Sequence, residues 1–291
     1  MSYACVILGG ICWGFIGVFN RMLGAAGLTM ANRMVVRNFL SLLLLTAVFA
    51  LFRRSVFRVS PRHLPLFAAS GIVSVLGNAW AFFSCQMECS LAVAATLLYL
   101  APAFVTVLSA LLWKTRITPR KAAALLLAFA GCALVSGIAG GALTISRRGL
   151  LLGLTAAFLY GMYTVFAHYG LQHYDSLTMT YWSFVFSGLA SLAFADAGEL
   201  LPVLQTGRGI AGAAGLVIIA TVLPYSLYTK GLEGVESGKA AILANVEPVM
   251  AAILGIVIFH EQLSAWAVLG IVCVLGGVVI LAKEDEADGK A

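Results

Sequence analysis

Long apolar runs alternate with short polar links along almost the whole chain. A helix of about 20 apolar residues is long enough to cross a bilayer. Runs of roughly that length occur ten times, at residues 3–23, 31–52, 64–86, 90–112, 120–138, 149–170, 177–195, 209–230, 237–259 and 263–282. The pattern therefore predicts an all-α membrane protein with ten transmembrane helices and a polar cytoplasmic tail at residues 284–291.

The composition supports this class and excludes an ordinary water-soluble fold. Of the 291 residues, 62% are hydrophobic and only 10% are charged, and the mean hydropathy is +1.00. Soluble domains carry roughly 25% charged residues. The net charge of +6 reflects basic links between helices, so we expect a lipid bilayer as partner and no nucleic acid.

The positions of lysine and arginine indicate which way the helices run. Cytoplasmic links of membrane proteins carry an excess of these residues. If the N-terminus lies inside, 12 of the 18 basic residues fall on the inner side, including the clusters at residues 53–62 and 114–121. We therefore predict a multi-pass protein of the cytoplasmic membrane with both termini in the cytoplasm.

The sequence contains a repeat with an offset of 146 residues, the spacing between Pro102 and Pro248. The segments AATLLYLAPAFVTVLSALLWKTRIT (94–118) and AAILANVEPVMAAILGIVIFHEQLS (240–264) align at this offset. The chain thus divides into two five-helix repeats, residues 1–146 and 147–283. Because five is odd, the second repeat must start on the opposite side of the membrane. Inverted repeats are typical of secondary transporters, whose solute site lies near mid-membrane at the repeat interface.

Several motifs resemble the drug/metabolite transporter superfamily in its ten-span EamA-type form. These are Trp13-Gly14 in ICWGFIGVF, Arg37 inside the second run, a proline in the fourth and ninth runs, and Glu261-x-Leu263. The first repeat departs from the pattern, because Thr115-Arg116-Ile117 stands where the first Glu-x-Leu would fall. The resemblance implies a transporter that moves a small organic solute across the cytoplasmic membrane, often as an exporter.

Helical spacing places small, aromatic or hydrogen-bonding side chains in stripes on several apolar helices. Such stripes suit a partly wet cavity, since polar groups facing lipid would stay unsatisfied. The candidate solute-binding residues are Trp13, Asn20, Asn78, Trp80, Tyr99, Tyr160, Tyr163, Tyr225 and Glu247. For each, packing or hydrogen bonding between helices is the structural alternative. For Arg37 the alternatives are snorkelling toward the outer interface or pairing with a carboxylate.

Glu247 and Pro248 lie side by side in the middle of the ninth run. An ionised carboxylate at this depth needs a partner or water, and a proline interrupts the helical hydrogen bonds. Paired interruptions in the two halves mark the binding site of many transporters. We therefore predict hinges at Pro102 and Pro248, and either a solute- or proton-binding role or a structural hydrogen bond for Glu247.

The remaining reactive residues do not indicate an enzyme, a metal site or a cofactor. The four histidines and six cysteines are scattered without CxxC spacing, and no GxxxxGK[ST] loop is present. Cys85 and Cys89 are four apart, where either a disulfide or two buried thiols are possible. The sequence thus favours a secondary transporter of an amino acid or related metabolite, working as a monomer or homodimer. An integral-membrane enzyme or a non-transporting assembly protein is the alternative.

Overall fold

The computed structural model describes residues 1–89, 91–135, 146–260 and 264–288, which form helices joined by short links without any β-strand. Eight helices in this part of the chain are long and apolar enough to cross a membrane. They are α1 (Ser2–Ala25), α2 (Met30–Phe52), α3 (Pro61–Glu88), α4 (Val93–Trp113), α6 (Arg147–Gly170), α7 (Ser176–Phe194), α8 (Gly207–Gly231) and α9 (Ser237–Phe259). The predicted all-α membrane fold is confirmed at this level.

Two further helices occupy the positions of the fifth and tenth predicted spans. They are α5 (Pro119–Val135) and α10 (Ala265–Asp288). The described part of α5 covers 17 residues and has Arg120 and Lys121 in its first turn, and the apolar part of α10 is Ala265–Ile280. The number of ten membrane spans therefore stays a prediction. Glu261 and Leu263 of the proposed motif lie outside the described residues.

Large apolar side chains face outward around the helix bundle. Leu51, Leu111, Leu126, Val257 and Val272 are each more than 60% exposed. Soluble monomers rarely expose large apolar patches, and such patches mark contact with lipid or a partner. The outside of the bundle is therefore suited to a bilayer.

Several of the main helix pairs correspond when the two halves of the chain are exchanged. Helix α1 packs against α8 and α9, and its counterpart α6 packs against α3 and α4. The pairs α2–α7, α4–α9 and α5–α10 each join counterparts. If each helix is replaced by its counterpart five places along the chain, the α1 contacts become the α6 contacts, and each of the pairs α2–α7, α4–α9 and α5–α10 becomes itself.

Helices α4 and α9 are both broken, at positions that differ by 146 residues. Two shorter helices make up α4, namely Leu91–Leu98, which begins two residues before the apolar span given above, and Ala101–Trp113; α9 consists of Ser237–Ala244 and Glu247–Phe259. Pro102 and Pro248 each occupy the second position of the latter half-helix. A proline fits there because its missing N–H would have no helical partner in a first turn. The predicted interruptions are therefore present, while their role as hinges stays a prediction.

The ends of the two broken helices also match. Within the described residues, the non-glycine residues with positive φ are Lys114 (55°) and His260 (54°), again 146 apart. Each follows the last residue of its half-helix as a left-handed C-cap. Widened π-helical segments at Ala69–Gly77 in α3 and Gly215–Val222 in α8 start at the same offset. The backbone thus repeats local irregularities that the sequence similarity alone does not specify.

Helix α1 approaches the break in α9 very closely. A Cβ atom on Gly10 would lie 2.8 Å from the Ala244 carbonyl oxygen, and one on Gly14 would lie 3.0 Å from the Glu247 carbonyl oxygen. Only glycine permits this distance, because a methyl group would overlap these atoms. Gly14 therefore lets α1, which carries the Trp13 ring, pack directly against the backbone of α9 at Glu247.

The links form two separate sets of contacts, one at each end of the bundle. At one end Arg53 pairs with Asp175 (2.6 Å), and Lys121 donates to both carboxylate oxygens of Glu236 (2.7 and 2.8 Å). At the other end Arg148 pairs with Glu88 (3.3 Å), and Asn32 accepts from the Asp196 backbone N–H (3.0 Å). These contacts join links from the two halves of the chain at both ends.

Asp175 shows how one of these contacts holds a link in place. It caps helix α7 by accepting from the Thr178 N–H at 2.8 Å. Burial acts to raise the pKa of Asp175, but the hydrogen bonds from Thr178 and the charge of Arg53 hold that pKa below its usual value. The carboxylate is therefore ionised at neutral pH and holds the α2–α3 link against the start of α7.

Candidate functional site

A central cavity lies between helices from both halves of the chain. The volume open to water-sized molecules between its walls is about 20 Å³, which is room for about one water molecule, so the side chains of the walls nearly fill the cavity. Its lining comes from α1, α4, α6, α8 and α9, and consists of Trp13, Ala101, Pro102, Val105, Tyr160, Gly161, Tyr163, Thr164, Tyr225, Tyr228, Ala241 and Ala244. Both the first turn after the α4 break and the last turn before the α9 break form part of the wall.

Aromatic rings form most of the cavity wall and hold one another in place. The Trp13 ring meets Tyr225 edge-on with centroids 5.4 Å apart, and it lies 6.0 Å from Tyr160 and 5.2 Å from Tyr228. Edge-to-face pairs at such distances are favourable beyond the area they bury. Tyr163 meets Tyr225 edge-on at 4.9 Å, so the cluster extends from α1 through α8 to α6.

Two hydroxyl pairs satisfy the polar ends of these rings. The Tyr163 and Thr229 hydroxyls are 2.7 Å apart, and the Thr164 and Tyr228 hydroxyls are 2.8 Å apart. All four residues are buried. Because hydroxyls buried without partners are costly, these bonds fix the rings and leave their faces toward the cavity.

Two opposite charges border the same aromatic cluster. The Glu247 carboxylate lies within electrostatic range of Tyr160 and Tyr225 and of the Arg37 guanidinium. Arg37 lies over the Tyr225 ring, 5.8 Å from its centroid. Tyr225 therefore stands between the cavity and a cation from α2, while Glu247 approaches from α9.

The local backbone favours a negative charge at Glu247. This residue is the first of the half-helix Glu247–Phe259, whose N-cap Val246 supplies no side-chain hydrogen bond. The first N–H groups of a helix have no helical partners, and the helix dipole places positive potential there. A helix break at this depth thus stabilises a carboxylate that lipid would disfavour.

The structure gathers some of the sequence-predicted residues and separates others. Trp13, Tyr160, Tyr163, Tyr225 and Pro102 line the cavity. Tyr99 lies at the α4 break within electrostatic range of Glu247, and Pro248 is buried beside Glu247.

The other three candidates lie elsewhere. The Asn20 carbonyl accepts from Arg33 at 2.9 Å, toward the far end of α1. Asn78 is half-buried on α3 and is not part of the cavity wall. Trp80 is 52% exposed and borders a shallow outer groove with Met34, Phe83 and Phe194.

The sequence places Tyr228 on the same stripe as Tyr225, but Tyr228 is not among the predicted solute-binding residues, and Arg37 was not assigned to the site. Tyr228 follows Tyr225 by three residues, so helical spacing already places it on the same face. Arg37 was visible as a charge inside an apolar run, but its neighbours depend on how α2 packs against α8. Cys85 and Cys89, the other open pair, are both free thiols with sulfur atoms 3.4 Å apart.

One end of the bundle is more open than the other. A groove of about 710 Å³ lies between the end of α1, the end of α9 and the α7–α8 link, with Arg21 over the Phe259 ring at 4.4 Å. At the opposite end α6 packs along α4, and the His168 ring stacks on Trp113 at 3.9 Å. Phe259 and Trp113 are 146 residues apart and Arg21 and His168 are 147 apart, so the two places are counterparts.

Comparison with known proteins is consistent across the chain. The sequence model of the EamA-like transporter family matches residues 1–137 and 147–283. An uncharacterized transporter of Archaeoglobus fulgidus is 28% identical over 287 residues, covering 97% of this chain and 96% of that protein. The uncharacterized inner membrane transporter YicL of Salmonella typhimurium is 30% identical over 149 residues, which span 51% of this chain and 49% of the relative. A crystal structure with 17% identity has a TM-score of 0.80 over 96% of both chains and shares the fold.

Proposed function

The chain belongs to the EamA-like transporter family, and we propose that it is a secondary transporter that exports a small organic solute by alternating access. The solute is an amino acid or a related metabolite with a cationic or zwitterionic head. One observation carries this proposal: an aromatic cavity with Glu247 beside it lies where the broken helices of the two halves meet. Since one chain supplies the whole cavity wall, a single copy suffices, either as a monomer or within a homodimer.

The two halves are proposed to be inverted repeats. The matched helix breaks, left-handed caps and helix pairs support this proposal, as does the odd number of helices in each half. Alternating access follows if the two halves exchange conformations. In that exchange the groove beside Arg21 and Phe259 closes while its counterpart at Trp113 and His168 opens.

We predict that both termini and the links around Arg53–His63 and Lys114–Lys121 face the cytoplasm. The groove beside Phe259 then faces outward, and the Lys121–Glu236 pair lies at the closed inner end. Single cysteines placed at Ser60 and Gly207 in a cysteine-free variant test this directly, since a membrane-impermeant maleimide should label only position 207 in intact cells. Labelling of position 60 would exclude the proposed orientation and the inverted repeat with it.

Transport itself is tested with purified protein in proteoliposomes. Uptake of labelled amino acids, amines and organic acids should show at least one saturable solute, and a Trp13→Ala variant should transport it poorly because the cavity loses its central ring. Trp80→Ala serves as the matched control, since that tryptophan faces outward. If no solute moves although the protein is folded, a role in assembly is favoured over transport.

A further inference from the structure

Arg37 is a half-buried cation inside a membrane-spanning helix, and stability alone gives a poor explanation for it. It lies in the π-helical segment Val36–Leu40 of α2, about six residues into an apolar helix. Its Nε atom is buried and, among the described residues, has no hydrogen-bond partner. A buried donor without a partner is costly, and an arginine inside a membrane span commonly marks a substrate pathway.

The surroundings of Arg37 belong to the candidate site. Its guanidinium lies over the Tyr225 ring, 5.8 Å from the centroid. Tyr225 is also part of the cavity wall and is packed against Trp13. The charge of Arg37 also acts on Glu247, the first residue after the break in α9. The cation on α2 and the carboxylate on α9 therefore both lie near the aromatic cluster.

We propose that Arg37 binds the carboxylate of the solute while Glu247 binds its ammonium group, so that the site selects zwitterions such as α-amino acids. This inference rests on the proposed transport function and narrows its solute class. The planar guanidinium can donate two parallel hydrogen bonds to a carboxylate, and its free Nε–H is one of the donors that a solute would satisfy. The aromatic wall then contacts the apolar side chain of the amino acid.

Charge balance gives the reason for this selectivity. Without solute, Arg37 and Glu247 compensate each other at a depth where an unbalanced charge is costly. A bound zwitterion adds one charge of each sign and leaves the total at zero. A simple cation or a simple anion would leave one uncompensated charge in the same low-dielectric space. Arg37 thus excludes cations that Glu247 alone would accept.

The test compares three ligands of one shape on the detergent-purified full-length protein. Binding of each protein amino acid is measured by thermal stabilisation, which reports ligand affinity through linkage. For an amino acid that binds, its amide lacks the negative charge and its deaminated acid lacks the positive charge. With leucine, for example, these are leucinamide and 4-methylpentanoate. Both should bind the wild type about tenfold or more weakly than the amino acid.

The variants Arg37→Gln and Arg37→Lys complete the test. Arg37→Gln should reverse the preference, so that the amide binds better than the amino acid, whereas Arg37→Lys should retain part of the preference for the amino acid. The control is Arg33→Gln, because Arg33 lies one turn away, donates to the carbonyl oxygens of Asn20 and Thr29, and is not part of the cavity wall. If Arg37→Gln does not fold, the comparison of the three ligands on the wild type decides.

Two results would overturn the inference. One is an Arg37→Gln variant that binds the amino acid as tightly as the wild type. The other is a wild type that binds no amino acid, or that binds the amide or the deaminated acid equally well. Saturable transport of some other solute in proteoliposomes would then leave the proposed transport function intact, whereas failure to transport any solute would reject that function as well.

Discussion

Replacing Glu247 with glutamine should reduce transport by roughly 10- to 150-fold while the protein still reaches the membrane. Glutamine keeps the shape of the side chain but removes its charge. A hydrogen bond to a charged group contributes about 1.5–3 kcal/mol, which corresponds to that range of binding constants. The measurement is uptake into proteoliposomes across a range of pH values, with the wild type and the variant prepared in parallel.

Two roles of Glu247 predict different details of this result. If the carboxylate binds the ammonium group of the solute, the loss of transport appears mainly as weaker solute binding. If it carries a proton that competes with the solute, the variant also loses the pH dependence of transport. The other titratable or charged groups acting at this place are Arg37, Tyr99, Tyr160, Tyr225 and Cys132, and the variant leaves all of them unchanged.

A structural role for Glu247 is distinguished by a double variant. Glu247→Gln alone leaves Arg37 uncompensated, which should destabilise the fold by about 3 kcal/mol. Adding Arg37→Gln removes that second charge and should restore the melting temperature but not transport. Glu88→Gln, which removes a carboxylate from the end of the bundle, is the control. Identical uptake curves for the wild type and Glu247→Gln would exclude a functional role.

The sequence predicts the backbone of this site better than its side-chain neighbours. Pro102 and Pro248 predict the helix breaks because a missing donor acts locally, whatever the rest of the fold. The opposite holds for Trp80 and Asn78, whose places on a helical stripe say nothing about which neighbour that stripe faces. In the structure Trp80 points outward and is 52% exposed. Periodicity fixes a face of a helix, but only packing decides whether that face meets lipid or a cavity.

The neighbours of the charged residue Arg37 also could not be predicted from the sequence. A charge in an apolar run signals a partner or a cavity, but Glu247, the carboxylate on which the Arg37 charge acts, lies 210 positions further along the chain. The position of Arg37 beside Tyr225 depends on α2 packing against α8. The interruption of α1 at Gly14 and Phe15 was likewise not predicted, and its counterpart α6 is continuous. Local pattern alone does not distinguish these two helices.

Replacing both Pro102 and Pro248 with alanine should slow transport strongly while leaving expression intact. Each proline denies a hydrogen bond to the carbonyl four residues earlier, at Leu98 and Ala244. Alanine restores the donor, and within a helix interior it is favoured over proline by about 3 kcal/mol. The broken helices should then become continuous through the cavity wall, and the balance between the outward-open and inward-open forms should shift.

The two single proline variants should give different results, because each helix break belongs to a different half of the chain. Cysteine accessibility at the groove beside Phe259 and at its counterpart beside Trp113 measures the two forms directly. We expect Pro102→Ala and Pro248→Ala to shift accessibility at these two places in opposite directions, since exchanging the halves exchanges the forms. Pro202→Ala, in the exposed short helix Ala197–Leu204, is the control and should leave accessibility and transport unchanged. Normal transport kinetics in both single variants would show that the prolines shape the cavity wall without acting as hinges.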